Sequence, residues 1–285
     1  MLPTFLAVLL SLPQPSPAKA PDSLRVPILV YHNVQPAADA GRVRSAELTM
    51  RPEAFAAQMQ YLKDNNIPVV SLGALVDALQ GKATLPPRAV VLTFDDGRVN
   101  QYVHALPVLR KHGFTATFFP FTHAMDRNSR YFTWAQLREM QAMGMTIGSH
   151  TSLHVRVDKM KDAKMMDVEV RGSREALKKH LGGDAAFFSY PFGAVAAVGD
   201  SAVRAAGYRA ARAYTGKAWN SPRDIWRLNA IAMSESMARF RHAVDPQAAP
   251  AARETSKPGA SKAGKKAGAK AGSKAKGAGK AKKAG

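Results

Sequence analysis

The stretch that most constrains this chain runs from Ala89 to Gly97, where an uncharged apolar segment ends at two adjacent aspartates and a glycine. Its apolar beginning is typical of a strand that is buried on both faces of a parallel sheet. Gly97 permits a sharp turn, so both carboxylates can face one cavity. Because adjacent acids at a buried strand end repel each other, the stretch predicts a cation or a shared proton there. The alternative is an exposed turn that carries two hydrated aspartates.

Apolar stretches of the same kind alternate with segments of helical spacing along the chain. Strands are predicted at residues 26–31, 69–70, 89–94, 115–120, 146–149, 186–189, 208–213 and 226–232. This alternation indicates parallel strands connected by crossover helices, and therefore an α/β fold. We expect one catalytic domain, residues 21–245, folded as an irregular (β/α) barrel of seven or eight parallel strands. The sequence contains no glycine-rich phosphate loop of Rossmann or P-loop spacing.

The N-terminus has the pattern of a secretory signal. Residues 2–12 form an apolar run, which a Pro/Ser-rich stretch and the sequence Ala18-Lys19-Ala20 follow. This pattern predicts that residues 1–20 are a signal peptide, and hence export to the periplasm or the extracellular space. The apolar run is too short to span a bilayer, so no transmembrane segment is expected after removal of the signal. The alternative is an unstructured N-terminus that is not a signal.

The C-terminal segment, residues 246–285, is rich in Ala, Gly, Lys, Ser and Pro and is predicted to be a disordered basic tail. Ten lysines and no acid lie between Thr255 and Gly285, so this part carries +10 of the formal net charge of +20. Anionic envelope polymers or lipid head groups are the expected partners; nucleic acid is less favoured for an exported protein.

The sequence has no cysteine, which excludes disulfides and a cysteine nucleophile.

Two histidines four residues apart, His150 and His154, follow another predicted strand. In a helical turn both imidazoles would project from one face and could share a metal ion. In a parallel barrel they would lie at the same face as Asp95 and Asp96. Two imidazoles and one aspartate make a three-ligand site with open positions, and the other aspartate could then take a proton from acidified water. The alternative is a structural pair of histidines.

Three motifs together resemble the successive motifs of polysaccharide deacetylases, carbohydrate esterase family 4: Thr93-Phe94-Asp95-Asp96-Gly97, His150-Thr151-Ser152-Leu153-His154 and Tyr190-Pro191-Phe192-Gly193. The resemblance covers residues 26–232. It implies that Asp95 is the catalytic base and that the ligands of a divalent metal, zinc or cobalt, are Asp96, His150 and His154. It also implies that the backbone N–H of Phe192 helps to form the oxyanion hole. No organic cofactor is implied.

Two positions depart from this family's pattern. Ser189 stands where the family often has an arginine that tethers the base, and Arg227 is one candidate replacement. The family's late Leu-x-His motif, which supplies the general acid, is also missing. The opening stretch from Pro27 to His32 resembles the exported branch that includes the biofilm poly-N-acetylglucosamine deacetylases, in which the acid histidine comes from the N-terminal strand. His32 is therefore the expected general acid, and His123 is the next candidate; the alternative is that His32 is structural.

The expected function is an exported, metal-dependent polysaccharide N-deacetylase. It would hydrolyse the acetamide of N-acetylhexosamine units, in a polysaccharide or an oligosaccharide, to free amine and acetate. One alternative is a metal-dependent amidohydrolase that acts on a small cyclic amide. The other is a non-catalytic envelope protein that binds polyanions.

Overall fold

The computed structural model of this protein describes residues 20–42 and 48–247. The predicted signal peptide and the predicted basic tail lie outside these residues, apart from Ala20 and residues 246–247. Both assignments therefore stay predictions. Within the described ranges, no helix combines the length and the apolar character needed to cross a membrane.

The strands are short, and most of them are parallel to their neighbours. They are β1 (Leu24–Arg25), β2 (Ile28–Tyr31), β3 (Asn33–Val34), β4 (Thr49–Met50), β5 (Val91–Asp96), β6 (Thr117–Pro120), β7 (Thr146–Ile147), β8 (Phe187–Ser189), β9 (Ala210–Arg212), β10 (Trp219–Asn220) and β11 (Ile231–Ala232). A five-stranded parallel sheet has the order β11-β2-β5-β6-β7. Strands β8 and β9 form a separate parallel pair, β3 and β4 another, and β1 pairs with β10 in the antiparallel sense.

The helices follow the strands along the chain. They are α1 (Pro52–Asp64), α2 (Leu72–Leu79), α3 (Leu106–His112), α4 (Trp134–Ala142), α5 (Ala163–Asp167), α6 (Ser173–Leu181), α7 (Ala197–Ala205) and α8 (Met237–Val244). Two π-helical segments, Gln101–Ala105 and Val168–Gly172, precede α3 and α6. The α/β class with a central parallel sheet is thus confirmed.

Single bridges connect the five-stranded sheet to the β8–β9 pair at both edges, one between Ser149 and Phe188 and the other between Arg212 and Leu228. In the described residues, regular pairing is interrupted at these two places. The continuous barrel of seven or eight strands therefore stays a prediction. A central parallel sheet flanked by helices is what positions the site.

The central strands are buried on both faces, as the apolar stretches predict. Leu29 and Leu92 pack in one core cluster, whereas Val30 and Val91 pack in the cluster on the other side. All four side chains are fully buried. Since successive side chains of a strand point to opposite faces, a strand between two cores must be apolar throughout.

Helix boundaries follow local capping. The sequence predicts that Thr133 caps the helix that begins at Trp134, and Thr133 does cap α4, in a capping box with Gln136. For α1 the sequence predicts an N-cap at Thr49, with Pro52 early in the helix. This prediction is wrong: Thr49 lies in β4, and Arg51 is the residue that precedes the first turn. Pro52 occupies the first helical position, where its missing N–H costs no hydrogen bond, so this helix can start without a side-chain cap.

Candidate active site

The register of β2 and β5 places His32 beside Asp95. Tyr31 pairs with Phe94, so the next residue of each strand lies at the same edge of the sheet. His32 Nε2 is 4.0 Å from Asp95 Oδ2. The side-chain amide of Gln101 donates to the backbone oxygens of both residues, at 2.7 and 2.6 Å, and so ties the two strand ends together.

The turn after β5 depends on Gly97. Asp96 and Gly97 both have positive φ, 73° and 68°. A Cβ atom at position 97 would lie 2.6 Å from the Cβ of Pro120, so only glycine fits between β5 and β6 at this point. Both carboxylates consequently approach His150: its Nε2 is 4.0 Å from Asp95 Oδ2 and 3.7 Å from Asp96 Oδ1.

Asp96, His150 and His154 form a cluster with the geometry of a metal site. Their ligand atoms all lie within 4.8 Å of one another. His150 Nδ1 lies 2.7 Å from the carbonyl oxygen of Ser189, which places the proton on Nδ1 and leaves the Nε2 lone pair facing the cluster. The acceptor nitrogen of His150 beside the carboxylate of Asp96 is unfavourable unless a cation lies between them, so these residues fit a divalent ion such as zinc.

The two histidines meet through an irregular turn rather than the helical turn that their spacing suggests. Thr151 and His154 both have left-handed φ, 67° and 59°. The Thr151 hydroxyl accepts the His154 N–H at 2.9 Å. Buried Glu169, in the second π-helical segment, accepts the N–H groups of Ser152 and Leu153, each at 2.9 Å. These side-chain acceptors replace the hydrogen bonds of a helix and fix the turn.

Asp95 is fully buried and lies in a network of fixed donors. Arg212 Nη2 donates to Asp95 Oδ1 and also to Ser189 Oγ. The Tyr214 hydroxyl donates to Asp95 Oδ2 at 2.7 Å, and Ser189 Oγ lies 3.4 Å from both carboxylate oxygens. These contacts fix the orientation of the carboxylate and satisfy part of its acceptor capacity.

Arg212 therefore tethers Asp95, and the expectation for Arg227 is wrong. Arg227 Nε instead donates to Asp200 at 2.6 Å, near the surface. Arg212 is the direct partner of Ser189 in the β8–β9 register, so its guanidinium enters the site from the neighbouring strand. The available signal is ambiguous, because the predicted strand 208–213 contains two arginines, Arg209 and Arg212, and only the second is fully buried and needs an internal partner.

Tyr214 is a second residue that sequence reasoning missed. Its hydroxyl has one proton, which it donates to Asp95, and it accepts from His32 Nε2 at 2.7 Å. Its ring stacks on the imidazole of His32 and packs against Gly193, where an added Cβ would approach the tyrosine to 2.5 Å. Tyr214 thus connects the residue predicted as the base with the residue predicted as the acid.

The charges around Asp95 keep it ionised. Burial raises the pKa of Asp95, but the charge of Arg212, together with those of His150 and His32, lowers it well below its ordinary value. Burial and the charge of Asp95 raise the pKa of Tyr214, so its phenol stays a donor at neutral pH. The pKa of Arg212 is raised: burial lowers it, but the charge of Asp95 and other contacts outweigh burial.

The metal-site cluster combines an ionised acid with a neutral imidazole. Burial raises the pKa of Asp96, but a hydrogen bond with His154 and the nearby histidine charges lower it to about 2. Burial lowers the pKa of His150 to about 4, so this imidazole is neutral at pH 7. Neutral imidazoles and an ionised carboxylate are the protonation states that bind a metal ion.

Phe192 lies beside this cluster. It occupies the middle of the turn Pro191–Gly193 with a φ of 62°, and its ring is 57% exposed. The ring centroid is 4.7 Å from that of His154, and the guanidinium of Arg156 lies 5.8 Å from the Phe192 ring centroid. The structure therefore brings this predicted residue to the site, while the role of its N–H in an oxyanion hole stays a prediction.

His123 lies at the surface, and its ring contacts Arg127 at 2.6 Å. Its backbone N–H donates to the carbonyl oxygen of Ser152 at 2.9 Å, which places it next to the turn between the two predicted ligands. The imidazole that contacts the Asp95 network is that of His32.

Comparison with known proteins agrees with this geometry. Residues 82–211 match the family model described as polysaccharide deacetylase. This range includes the predicted base, the three predicted metal ligands and Phe192. The chain thus contains a polysaccharide deacetylase domain.

Two curated relatives and one solved structure illustrate the similarity. The Bacillus subtilis protein YxkH, provisionally named a polysaccharide deacetylase, is 28% identical over 169 residues, which are 59% of this chain and 57% of that protein. The poly-beta-1,6-N-acetyl-D-glucosamine N-deacetylase of Escherichia coli K12 is 31% identical over 136 residues, 42% of this chain and 20% of that protein. The matches thus span about a fifth to just over half the length of these relatives. The Streptococcus pyogenes deacetylase PplD, solved in complex with acetate, superposes with a TM-score of 0.70 at 25% identity, covering 76% of this chain and 95% of PplD.

Proposed function

We propose that this protein is an exported, metal-dependent N-deacetylase of N-acetylhexosamine units in a polysaccharide or an oligosaccharide. The observation that carries the proposal is the pair of consecutive aspartates in two different settings. Asp95 is held by Arg212 and Tyr214, whereas Asp96 faces His150 and His154. The polysaccharide deacetylase domain and the similarity to a poly-N-acetylglucosamine deacetylase support the substrate class.

In this proposal Asp96, His150 and His154 hold one divalent ion, zinc or cobalt. A bound ion supplies Lewis acidity, which polarises the acetamide carbonyl and acidifies water. Ser189 fixes the orientation of His150 through its backbone oxygen. The N–H of Phe192 contributes a donor to the developing oxyanion.

Asp95 acts as the general base. A carboxylate has about four lone-pair positions, so the bonds from Arg212 and Tyr214 leave some free to accept a proton from the attacking water. The lowered pKa of Asp95 keeps it ionised from neutral to mildly acidic pH. Arg212 and Tyr214 also prevent its rotation, and such positioning is what makes general-base catalysis efficient.

His32 acts as the general acid. The leaving amine needs a proton as its bond to the carbonyl carbon breaks, and an imidazole is suited to provide it near neutral pH. The Tyr214 hydroxyl holds His32 at 2.7 Å and so orients its ring.

The proposal also includes export directed by residues 1–20, an irregular barrel as the scaffold, and binding of anionic envelope polymers by residues 246–285.

Acetate release and metal content test this function together. Full-length protein loaded with zinc should release acetate from at least one oligomer among chitin, peptidoglycan and poly-N-acetylglucosamine fragments. It should contain about one divalent ion per chain, and His150→Ala and His154→Ala should lose that ion and the activity. His242→Ala is the matched control, because this histidine is exposed on α8 and lies outside the cluster.

Two results would overturn the proposal. Full metal occupancy in both His150→Ala and His154→Ala would remove the ligand assignment. If metal-loaded protein released no acetate from any of the three glycans, the proposed deacetylase activity would be refuted.

A further inference from the structure

A polar pocket of about 460 Å³ adjoins the metal-site cluster. Arg98 belongs to its wall, and its Nε is 3.9 Å from Asp96 Oδ2. Asn33, which directly follows His32, also lines the pocket. A polymeric substrate extends beyond the unit that reacts, so a pocket next to the reacting position is where a neighbouring unit would lie.

One side of the pocket presents two arginines, which the backbone holds next to each other. The N–H of Val99 donates to the carbonyl oxygen of Arg130 at 2.9 Å, and Arg98 forms a β-bridge with Tyr131. The Arg98 guanidinium lies 4.6 Å from the centroid of the Tyr131 ring. Stacking of this kind limits the rotation of the side chain and keeps its charged end at the pocket.

Neither arginine has a close acidic partner among the described residues. Arg98 Nε is buried and has no hydrogen-bond partner there, and its distance to Asp96 is too long for a hydrogen bond. The Arg130 side chain makes no ion pair with any described residue. Some other surface arginines are paired closely; for example, Arg174 Nη2 lies 2.6 Å from a carboxylate oxygen of Asp184. The pocket therefore has unused capacity for an anion.

Side-chain amides form another part of the wall. Asn100 Nδ2 donates to Asn33 Oδ1 at 3.1 Å and to Gln35 Oε1 at 2.8 Å, so the three amides are fixed relative to one another. Amides of this kind can exchange hydrogen bonds with sugar hydroxyls. Asp39 is the one carboxylate that lines the described pocket, which leaves the balance of formal charge positive.

We propose that this pocket binds the sugar unit next to the one that is deacetylated and prefers a unit that carries a carboxylate. A planar guanidinium matches a carboxylate through paired hydrogen bonds, whereas a neutral unit would leave the charges of Arg98 and Arg130 without a partner. The amides of Asn33, Gln35 and Asn100 contact the hydroxyls of the same unit. This inference rests on the proposed deacetylase function, because that function defines the neighbouring unit.

A matched pair of disaccharides tests the preference directly. The acidic probe is N-acetylglucosamine linked β-1,4 to N-acetylmuramic acid, and the neutral probe is the methyl amide of the same lactyl group. Binding is measured by calorimetry at low salt with full-length, zinc-loaded Asp95→Asn protein, so that the sugars are not consumed. We expect the acidic probe to bind about five-fold more tightly, and added salt should reduce the difference.

Arg130→Gln, introduced into the same Asp95→Asn protein, is the decisive variant, because Arg130 does not contact the metal-site cluster. It should abolish most of the preference for the acidic probe and leave the zinc content unchanged. Arg98→Gln should act in the same direction, with its zinc content measured because of its proximity to Asp96. Arg239→Gln is the matched control: Arg239 is exposed on α8 and does not line the pocket, so the preference should persist.

Equal binding of the two probes, absence of binding by both, or a preference that Arg130→Gln leaves intact would each overturn the inference. The failure of the proposed function is a separate result. Acetate release from N-acetylglucosamine oligomers, without any preference for acidic probes, would refute only the proposed binding preference of the pocket. A carboxylate preference that depends on Arg130, in a protein that releases no acetate, would refute only the deacetylase.

Discussion

Two consecutive carboxylates, those of Asp95 and Asp96, have opposite surroundings. Asp95 accepts hydrogen bonds from Arg212 and Tyr214, both positioned by the chain around β9. Asp96 has no arginine or tyrosine at hydrogen-bond distance among the described side chains. Its nearest polar groups are two imidazole nitrogens, at 3.3 and 3.7 Å, and Arg98 Nε at 3.9 Å.

The difference indicates how one strand end can supply both a base and a ligand. Fixed donors keep Asp95 ionised in one orientation, which suits a group that receives a proton. Asp96 faces the acceptor nitrogen of His150, whose other nitrogen contacts the backbone of Ser189, so a cation is what would complete this cluster. The roles of two neighbouring acids therefore depend on the groups that surround each carboxylate, and the carboxylates need not be far apart.

The largest expected effect comes from exchanging each acid for its amide. Asp95→Asn should retain the metal and lose about 10²–10⁴-fold in turnover, because it removes the general base. Asp96→Asn should lose metal affinity instead, because a neutral amide is a weaker ligand than a carboxylate. Rates of acetate release and metal content per chain measure the two effects.

The opposite pattern would break the comparison. Loss of metal in Asp95→Asn, with metal retained in Asp96→Asn, would exchange the two roles. Near-normal turnover of metal-loaded Asp95→Asn would show that another group accepts the proton.

The second prediction concerns the arginine that tethers the base. Arg212→Gln should lower the free energy of unfolding by about 3–5 kcal/mol, because it leaves the buried Asp95 carboxylate without its charged partner. Arg227→Gln is the matched control; its ion pair with Asp200 is partly exposed, so its removal should cost less than about 1 kcal/mol. Urea unfolding measures both. Similar small costs in the two variants would mean that Arg212 does not hold Asp95.

Much of this arrangement follows from the sequence. The apolar run before Asp95 predicted a strand between two cores, and the motifs predicted which side chains converge at the strand ends. Parallel strands end at one edge of a sheet, so a histidine after β2 and two acids at the end of β5 meet without further information. The match of residues 82–211 to the polysaccharide deacetylase family model includes the same motifs.

The tether could not be predicted, because it depends on register. Ser189 and Arg212 are 23 residues apart, and only the pairing of β8 with β9 shows that they are direct partners. Tyr214 depends on the same register, since it follows β9 by two residues. The spacing of His150 and His154 predicts a helical turn wrongly, because spacing alone does not reveal that Thr151 and Glu169 replace the helical hydrogen bonds.

The third prediction concerns the link between base and acid. His32→Ala should keep the fold and the metal and lower kcat roughly 10²-fold with little change in KM, because the breaking of the C–N bond needs its proton. Tyr214→Phe should cause a smaller fall, roughly ten-fold, and should alter the pH profile, because it removes the hydroxyl between His32 and Asp95. Steady-state kinetics across pH on a soluble oligomer measure both.

Tyr102→Phe is the control for the loss of a phenol, because the hydroxyl of Tyr102 contacts Glu139 at the surface. Loss of metal in His32→Ala would make His32 a ligand and refute the three-ligand scheme. Normal turnover of this variant would place the acid elsewhere, and His123 would be the next residue to test.

The smallest expected effect is on the pH dependence of the free energy of unfolding, to which His150 and Asp95 contribute in different pH ranges. Burial lowers the pKa of His150 to about 4 in the folded protein, below the value of about 6.5 expected in the unfolded chain. Between these values the unfolded chain binds more protons, so the free energy of unfolding falls as the pH falls. For metal-free protein the loss should be roughly 1 kcal/mol between pH 7 and about pH 5.5.

Asp95 affects the free energy of unfolding in a lower pH range. Its pKa is lowered in the folded protein, so its contribution is fully present above the ordinary aspartate pKa of 3.8 and is lost only as the pH falls below that value. Urea unfolding at several pH values, with and without a chelator, separates the two windows. Bound zinc should suppress the loss above pH 5, because the ion competes with protons for His150. His150→Gln should remove this slope in metal-free protein, and His123→Ala should keep it. If the free energy of unfolding of metal-free His150→Gln still fell between pH 7 and about pH 5.5, another group would be responsible for this titration.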